Sequence, residues 1–305
     1  MDVSVVGSLH LDVMVHAPRL PCLDETVVGS TWHYQCGGKG GNQAVAAAQY
    51  GARTAIGGRI GADDFGRRLR DNLRSAAVND DHVGVDSSVG SGMSVAIIEA
   101  GGEYGAVIVS GANLSLDPRS IERQWQTLWQ SRILLLQNEL APDVNVVAAR
   151  AARAQGARVI LNAAPARTLF PDLAGLVDIV VVNRVEAAGL VGLPVESLES
   201  AETAARTLCR LVPHVIVTLG RDGLVLMEEN GAPVRMSALP VEAVSSHGAG
   251  DCFCGALAAR LAGGDSLAGA CDFARVAAGL FVATPVHLRR GVTAQEVLAR
   301  CGTSH

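Results

Sequence analysis

Short apolar runs rich in β-branched residues alternate along the chain with longer runs rich in alanine and leucine. The short runs predict strands at residues 3–6, 133–136, 158–161, 178–182 and 215–218. They are apolar at nearly every position, which is typical of strands that are covered on both faces. The longer runs predict helices at residues 144–155, 185–191, 200–211, 252–261, 267–283 and 293–301. Alternating strands and helices indicate an α/β fold with a doubly wound parallel sheet.

Two segments depart from this alternation. Residues 12–35 alternate in part between apolar and polar positions and contain β-rich stretches at 26–28 and 31–34. Residues 94–110 contain two apolar runs around the sequence Ala-Gly-Gly-Glu at 100–103, which is a hairpin signal. The two segments therefore predict the strands of a small second sheet.

Composition limits the class of protein. Hydrophobic residues make up 49% of the chain and charged residues 18%, which indicates a folded protein with a sizeable core. The net charge of −5, without a basic block, argues against a nucleic-acid surface. No apolar run approaches the roughly 18 residues that span a bilayer, so no membrane partner is expected. The N-terminus lacks the basic region of a secretory signal and the seven cysteines are scattered, so we expect a cytoplasmic protein without a disulfide framework.

The most informative stretch is Gly248-Ala249-Gly250-Asp251, where a loop becomes a predicted helix. Such a turn leaves backbone N–H groups unpaired and adds the positive end of the helix dipole, so it favours an anion such as phosphate. A carboxylate beside a phosphate would repel it, which indicates that Asp251 takes a proton from a hydroxyl that attacks the phosphate. The alternative is a tight turn in which Asp251 only stabilises the helix.

A second glycine-rich segment occupies residues 37–43 and leads into an alanine-rich helix at 44–50. Its four glycines allow the backbone to approach a ligand closely, and Lys39 and Asn42 suit sugar hydroxyls. The segment is not a P-loop, because Gly40 follows Lys39 where that motif needs Ser or Thr. The alternative is a plain loop before a helix.

Several candidate residues closely follow predicted strands; they are Asp12, Glu139, Asn183 and Gly220. In doubly wound sheets, ligands bind beyond the carboxyl ends of the strands. We therefore expect these residues to lie along one edge of the sheet, close to the two glycine-rich segments.

Six segments, in this order along the chain, resemble those of the PfkB-type carbohydrate kinases, in particular the ribokinase-like members. The segments are residues 6–12, 37–43, 162–166, 183–186, 217–220 and 248–251. The resemblance covers nearly the whole chain and implies that the small second sheet is a lid over a sugar site. It implies an α/β core of residues 1–11, 38–92 and 112–305 and a β lid of residues 12–37 and 93–111.

The resemblance also implies roles for individual residues on the acceptor side of the site. Asp251 matches the family's catalytic base, and Gly248, Ala249 and Gly250 match its anion hole. The positions that match sugar contacts are His10, Asp12, Gly38, Lys39, Asn42 and Glu139. His10 stands where ribokinase-like members carry an Asn that contacts ribose, so ribose itself is not fixed as the acceptor.

ATP and Mg²⁺ are the cofactors that the resemblance implies. Asn183 and Glu186 match an Asn-x-x-Glu motif linked to magnesium and phosphate, with Glu186 expected near the metal. Thr218 and Gly220, together with Asn183, match nucleotide-binding positions.

Two departures from the family pattern put activation by potassium in doubt. Ribokinase-like members usually carry Asp-Thr-Thr before the Gly-Ala-Gly-Asp turn, and that Asp helps to hold a potassium ion. Here the three residues are Ser245, Ser246 and His247. The later glycine-rich segment that completes the ion site is replaced by residues 285–290.

Together these features predict an ATP-dependent kinase that transfers the γ-phosphate to a primary hydroxyl of a small sugar such as ribose. A nucleoside kinase of the same superfamily is one alternative, because His10 and the altered triplet leave room for a larger acceptor. A non-catalytic sugar-sensing homologue is another, since the ion-site Asp is missing. Apolar residues of the lid predict a homodimer through it; they are Val27, Trp32, Ile97, Val107 and Val109.

Overall fold

The computed structural model describes residues 1–99, 101 and 104–302. Its strands, in chain order, are β1 Val3–Val6, β2 His10–Ala17, β3 Thr31–Gly37, β4 Thr54–Gly61, β5 Asn79–Asp86, β6 Gly92–Glu99, β7 Tyr104–Val109, β8 Ile133–Gln137, β9 Arg158–Asn162, β10 Ile179–Asn183, β11 His214–Thr218, β12 Leu224–Glu228 and β13 Val234–Met236. Its α-helices are α1 Lys39–Gln49, α2 Asp64–Ser75, α3 Pro118–Gln124, α4 Pro142–Ala154, α5 Pro171–Ala174, α6 Arg184–Val191, α7 Leu198–Leu208, α8 Ala249–Ala262, α9 Leu267–Ala283 and α10 Ala294–Leu298.

The larger sheet, within the described residues, has the strand order β13-β12-β11-β10-β9-β8-β1-β4-β5. From β5 across to β11 neighbouring strands pair in parallel, and β12 and β13 add an antiparallel edge. Every residue of β1 and β8 is buried, because these apolar strands are covered on both faces. The five strands predicted from the apolar runs are confirmed, each end within one residue of its expected position.

Helices cover both faces of this sheet. On one face α1, α2, α8 and α9 pack around an apolar cluster that includes Leu69 and Phe273. On the other face α3, α4 and α7 contribute to a second cluster that includes Trp129. Successive strand residues serve opposite faces, as Val5 lies in the first cluster and Val6 in the second. The doubly wound parallel sheet is therefore confirmed.

A separate small sheet has the order β3-β2-β6-β7, and we call it the lid sheet. Strands β2 and β3 are antiparallel, as are β6 and β7, whereas β2 and β6 are parallel. The predicted second sheet is confirmed, although Ala100, Gly102 and Glu103 of the expected hairpin turn lie outside the described residues. The exact division between core and lid stays a prediction, and β2 already begins at His10.

Three local predictions are wrong. Residues 26–28 do not form a strand, because the pairing of β3 with β2 begins only at Thr31, opposite His16. The last predicted helix, at 293–301, is limited to Ala294–Leu298, and the chain then turns, with the Cys301 N–H bonded to the Leu298 carbonyl. Residues 39–43, interpreted as loop, already belong to α1, because Gly38 caps that helix with a φ of 83°.

Helices α1 and α8 lie against each other with their N-termini at the carboxyl edge of the sheet. Gly255 sets their separation, because a Cβ there would lie 2.5 Å from the Ala46 Cβ and 2.6 Å from the Gln43 carbonyl oxygen. A larger residue would push the helices apart.

In the described part of the chain, no helix combines the length and apolar character needed to cross a bilayer.

We expect Gly255→Ala to lower the free energy of unfolding by about 1–3 kcal/mol, because the added methyl group overpacks the contact between α1 and α8. Gly189→Ala in α6 is the matched control, since a Cβ there would have Ala166 at an ordinary 3.7 Å as its neighbour. The control should be neutral or more stable by up to about 1 kcal/mol, because alanine favours a helix over glycine. Urea denaturation measures both, and equal stabilities would contradict the close packing.

Candidate active site

Asp251 is a buried carboxylate in the first turn of α8, with 7% of its surface exposed. Its Oδ2 accepts a hydrogen bond from Asn42 Nδ2 and its Oδ1 accepts one from Gln43 Nε2, each at 3.0 Å. Burial has the largest influence on the pKa of Asp251 and raises it, although Lys39 and the two amide donors act in the opposite direction. The carboxyl group is thus held in one orientation and binds a proton more readily than an exposed Asp does.

The turn before Asp251 provides donors and space for an anion. Gly248 caps α8 with a φ of 82°, a conformation that other residues rarely adopt. A Cβ at Gly250 would meet no heavy atom within 4 Å, so the space beside the first turn is open. N–H groups in a first helical turn have no intrahelical acceptor, and the helix dipole adds positive potential there. The arrangement at Gly250 and Asp251 can therefore bind phosphate oxygens.

Lys39, the first residue of α1, lies among three carboxylates, those of Asp251, Glu139 and Glu186. Burial by itself would lower the pKa of the Lys39 ammonium group, but the carboxylates raise it above its ordinary value. Lys39 therefore stays protonated near neutral pH. Its charge offsets part of the repulsion among the carboxylates that surround it.

Glu139 follows β8 and caps the N-terminus of α1. Its Oε2 accepts a hydrogen bond from the Lys39 backbone N–H at 2.9 Å and another from the Ser8 hydroxyl. A carboxylate is stabilised at this end of a helix by the helix dipole. Among the described residues no donor reaches its Oε1, which leaves one carboxylate oxygen for a ligand.

His10 and Asp12 project from the same face of β2, because they are two residues apart on a strand. The His10 Nδ1 lies 4.0 Å from Glu139 Oε2. His10 is 5% exposed, and its Nε2 has no hydrogen-bond partner within the described structure. A buried polar atom without a partner is costly, and a ligand hydroxyl would relieve that cost. The Asp12 Oδ1 accepts a hydrogen bond of 2.5 Å from Ser94 on β6.

Two glycines allow the lid sheet to approach the start of α1. A Cβ at Gly38 would lie 2.7 Å from the backbone of both Ser8 and His10. A Cβ at Gly37 would lie 2.2 Å from Asp12 Oδ2. The structure thereby brings the lid residues His10 and Asp12 towards the N-terminus of α1.

Asn183 and Glu186 form a capping box at the start of α6. The Asn183 Oδ1 accepts the Glu186 N–H at 2.9 Å, and Glu186 Oε2 accepts the Asn183 N–H at 2.8 Å. Glu186 is buried rather than solvated, and burial raises the pKa of its carboxyl group. Within the described residues no group of three or more His, Cys, Asp or Glu side chains could hold a metal. A carboxylate such as Glu186 fits Mg²⁺ that retains its water and is held chiefly by ATP phosphates.

Thr218 and Gly220 lie further along the same edge of the sheet. Thr218 ends β11 directly beside Asn183 in the β10–β11 ladder, and its hydroxyl donates to the Val182 carbonyl at 3.3 Å. Gly220 has a φ of 61°, and a Cβ there would meet nothing within 4 Å. The structure thus places Thr218 beside Asn183, and Gly220 follows it at the start of a short 3-10 turn.

A chain of buried amides behind Asp251 was missed by the sequence analysis. Gln43, which donates to Asp251, accepts a hydrogen bond of 2.7 Å from Gln137 Nε2. The Gln137 backbone carbonyl accepts one of 2.8 Å from the Asn145 side chain. Gln43 and Gln137 have no exposed surface, so these amides fix the orientation of the carboxylate from behind. The only signal in the sequence was a Gln next to Asn42 in a run of small residues.

The assembled groups suit one type of reaction. An oriented carboxylate can take a proton from a hydroxyl, and the adjacent helix N-terminus and the Lys39 ammonium can stabilise phosphoryl oxygens. On the lid side, buried His10 and half-buried Asp12 provide hydrogen-bonding groups for a polyhydroxylated ligand. The arrangement is that of phosphoryl transfer to an alcohol.

Comparisons with known proteins agree with this chemistry. The model of the pfkB family of carbohydrate kinases matches residues 1–286. The chain is 32% identical over 280 residues to ribokinase of Haemophilus influenzae, covering 92% of this chain and 91% of that one. It is 33% identical over 260 residues to deoxyribokinase of Salmonella typhi, covering 85% of each. The structure of Arabidopsis thaliana ribokinase complexed with ribose and ATP matches with a TM-score of 0.93 at 30% identity, over 99% of both chains.

We expect Gln43→Met to move the acid limb of the kcat/KM profile to higher pH. The Gln43 amide lowers the pKa of Asp251, so its removal raises that pKa, and the base is active only when ionised. The variant should also lose about 1–3 kcal/mol of stability, because Gln137 keeps a buried donor without an acceptor. Gln126→Met, at an exposed position on the surface, is the control. An unchanged acid limb in Gln43→Met would show that this amide does not act on the base.

Proposed function

The chain belongs to the pfkB family of carbohydrate kinases, and we propose that it transfers the γ-phosphate of ATP to a primary hydroxyl of a small sugar such as ribose or 2-deoxyribose. It is an ATP-dependent carbohydrate kinase by its family and its ribokinase relatives. The observation that carries the proposed chemistry is the buried Asp251 carboxylate, held by Asn42 and Gln43 beside an open helix N-terminus.

Asp251 acts as the general base in this proposal. The sugar hydroxyl oxygen forms a bond to the γ-phosphorus, the bond from that phosphorus to the bridging oxygen of ADP breaks, and the hydroxyl proton passes to Asp251. The N–H groups of Gly250 and Asp251 stabilise the charge on the transferring oxygens, whereas that of Ala249 already bonds to the Ser246 carbonyl. Asp12, Lys39 and Asn42 hold the sugar so that one hydroxyl faces the base, and positioning of this kind lowers barriers by up to about 7–11 kcal/mol in the best models.

Binding of ATP is assigned to the edge that continues from Asp251 towards β11. Asn183 and Thr218 are paired there, Gly220 follows Thr218 by two residues, and the open space at Gly220 supports contact with a nucleotide. Bound Mg²⁺ would supply positive charge to the ATP phosphates. Glu186 would hold its water ligands, since the capping box fixes this buried carboxylate towards Lys39.

The acceptor side of the site is formed by His10 and Glu139. The unpaired Nε2 of buried His10 supports a hydrogen bond to a sugar hydroxyl, beside the free oxygen of Glu139. Ribokinase and deoxyribokinase relatives match the chain about equally well, so both pentoses are candidates. A nucleoside acceptor is the second candidate, because His10 alters the usual ribose contact. A non-catalytic sugar sensor is disfavoured by the intact geometry around Asp251.

A homodimer through the lid sheet is part of the proposal. Trp32, Val107 and Val109 are 62%, 68% and 52% exposed, which is a large apolar area for a free surface. Val27 and Ile97 are half-buried and contribute less.

We expect Asp251→Asn to reduce kcat by at least about 10²–10⁴-fold, the range that a positioned general base supplies. Binding of ATP and of the sugar should change little, because the amide keeps the volume of the carboxyl group. Steady-state ADP release measures kcat, and calorimetry measures binding. Asp265→Asn is the control, at a half-buried carboxylate in the turn after α8 that accepts a hydrogen bond from Arg260. Substantial turnover by Asp251→Asn would remove the base assignment.

We expect ADP release to be fastest with pentoses when pentoses, hexoses and nucleosides are compared as acceptors. His10→Asn should change the acceptor KM by roughly tenfold and leave the KM for ATP unchanged, because one hydrogen bond to a sugar hydroxyl is exchanged. His214→Asn, at the opposite end of the sheet, is the control. Faster turnover of nucleosides would favour the nucleoside kinase, and sugar binding without ADP release would favour the sensor.

A further inference from the structure

Arg289 is a buried cation behind the turn that carries Asp251. It lies in the short 3-10 segment Val286–Gly291 after α9, and only 5% of its surface is exposed. Its guanidinium group stacks on Phe281, with the central carbon 4.1 Å from the ring centroid. Burial is the largest influence on the pKa of Arg289 and lowers it.

The hydrogen-bond partners of this guanidinium are backbone carbonyl oxygens. Nη2 donates to Ser245 O at 2.7 Å, Nη1 donates to His247 O at 3.0 Å, and Nε donates to Thr284 O at 3.2 Å. Among the described residues, no ion pair of Arg289 with a carboxylate is present. Three carbonyl dipoles that converge on one point repel each other unless a cation lies between them, and rings of carbonyl oxygens are how proteins bind alkali cations. The guanidinium group occupies such a site.

The carbonyl cluster is tied directly to the phosphate-binding turn. His247 immediately precedes Gly248, Ser245 lies three residues before it, and the Ala249 N–H donates to the Ser246 carbonyl at 3.2 Å. The N–H groups of Val244 and Ser245 both bond to the Val282 carbonyl, at 2.8 and 3.2 Å, which joins the same two chain segments. The position of the anion hole therefore depends on the contact between these segments, and Arg289 closes that contact.

Arg289 is itself held in place by α1, the helix that carries Asn42. The Gln49 side chain donates to the Arg289 carbonyl at 2.8 Å and to the Val292 carbonyl at 2.9 Å. A cavity of about 210 Å³ is lined by both Arg289 and Gly248, and Asn42 also borders it. The fixed positive charge and the phosphate-binding turn thus border the same cavity.

The potassium ion implied by the family resemblance does not fit here. The Asp expected to ligate it is Ser245, and the carbonyl oxygens of Ser245 and His247 are already hydrogen-bonded to the guanidinium. We propose that Arg289 is a built-in cation and a positioning residue, which holds the Gly248–Asp251 turn so that phosphoryl transfer needs no free alkali cation. This inference rests on the proposed function for its kinetic readout only.

The test compares three variants in potassium, sodium and choline chloride at equal ionic strength. Turnover of the unmodified protein should be the same in all three salts. Arg289→Ala should lose on the order of 10–100-fold in kcat in choline, with little change in the KM for the sugar, because the turn is misplaced while the sugar contacts remain. Guanidinium or potassium ions should restore part of the loss. Arg289→Lys should lose less, since its ammonium can still donate to the carbonyl oxygens.

Arg290→Ala is the matched control, because the neighbouring guanidinium is exposed and bonds to Ser75 and Asn72 instead. It should behave like the unmodified protein. The inference is overturned if potassium strongly stimulates the unmodified protein, if Arg289→Ala keeps full turnover in choline, or if no cation restores a folded Arg289→Ala.

A second measurement does not need an acceptor. The thermal midpoint of Arg289→Ala should rise on adding guanidinium or potassium relative to choline, because ligands that bind only the folded state stabilise it. The midpoint of Arg290→Ala should not respond. If no sugar or nucleoside is phosphorylated at all, the proposed function fails, whereas this cation-dependent midpoint still supports the built-in cation. A midpoint of Arg289→Ala that ignores every cation would overturn the inference independently.

Discussion

The close contact between α1 and α8 is the constraint on which the rest of the site depends. Gly255 permits it, and as a consequence Asn42 and Gln43 on one helix reach Asp251 on the other at 3.0 Å. Each helix begins at a glycine with positive φ, and their first turns are adjacent because Asn42 and Gln43 bond to Asp251. One N-terminus takes the carboxylate of Glu139, and the other is free for the phosphate. A sugar bound between them would lie next to the Glu139 carboxylate at one helix and present its reacting hydroxyl to the phosphate at the other.

The electrostatics of this pair of N-termini are balanced by Lys39. Burial raises the pKa values of Asp251 and Glu186, which would favour their neutral forms, while the Lys39 charge acts against that rise on both. A base must be ionised to accept a proton and must also hold that proton readily. A carboxyl pKa that is raised by burial and lowered by a nearby cation therefore suits general-base chemistry. Removing either the burial or the Lys39 charge would shift the pKa of Asp251.

The sheet and the long helices could be predicted from the sequence, because continuous apolar runs and the 17-residue helix Leu267–Ala283 are local signals that tertiary packing reinforces. Asp251 and its glycine turn were also accessible, since a helix N-terminus is defined by neighbours in the chain. The roles of Gln43 and Gln137 could not be predicted, because the two side chains are 94 residues apart in the sequence and meet only in the fold. The stretch 26–28 has the composition of a strand, but within the described residues the pairing of β2 with β3 begins only at Thr31, so 26–28 has no strand beside it.

Arg289 shows the same limit of sequence analysis. The departure of segment 285–290 from the family pattern was visible in the sequence, but the contacts of Arg289 with the Ser245 and His247 carbonyls were not. A sequence shows that an expected carboxylate is missing, but only the fold shows which atoms then face the gap. A free cation occupies a carbonyl site in proportion to its concentration, and its binding energy must exceed the cost of stripping its water. A guanidinium on a covalent tether has a high effective concentration at one place and loses its water once, during folding. Its planar fork of donors can satisfy several carbonyl oxygens together, which a spherical ion achieves only with a complete ring of ligands. The phosphate-binding turn is then held by the chain itself, and its geometry becomes independent of the ionic composition of the surroundings.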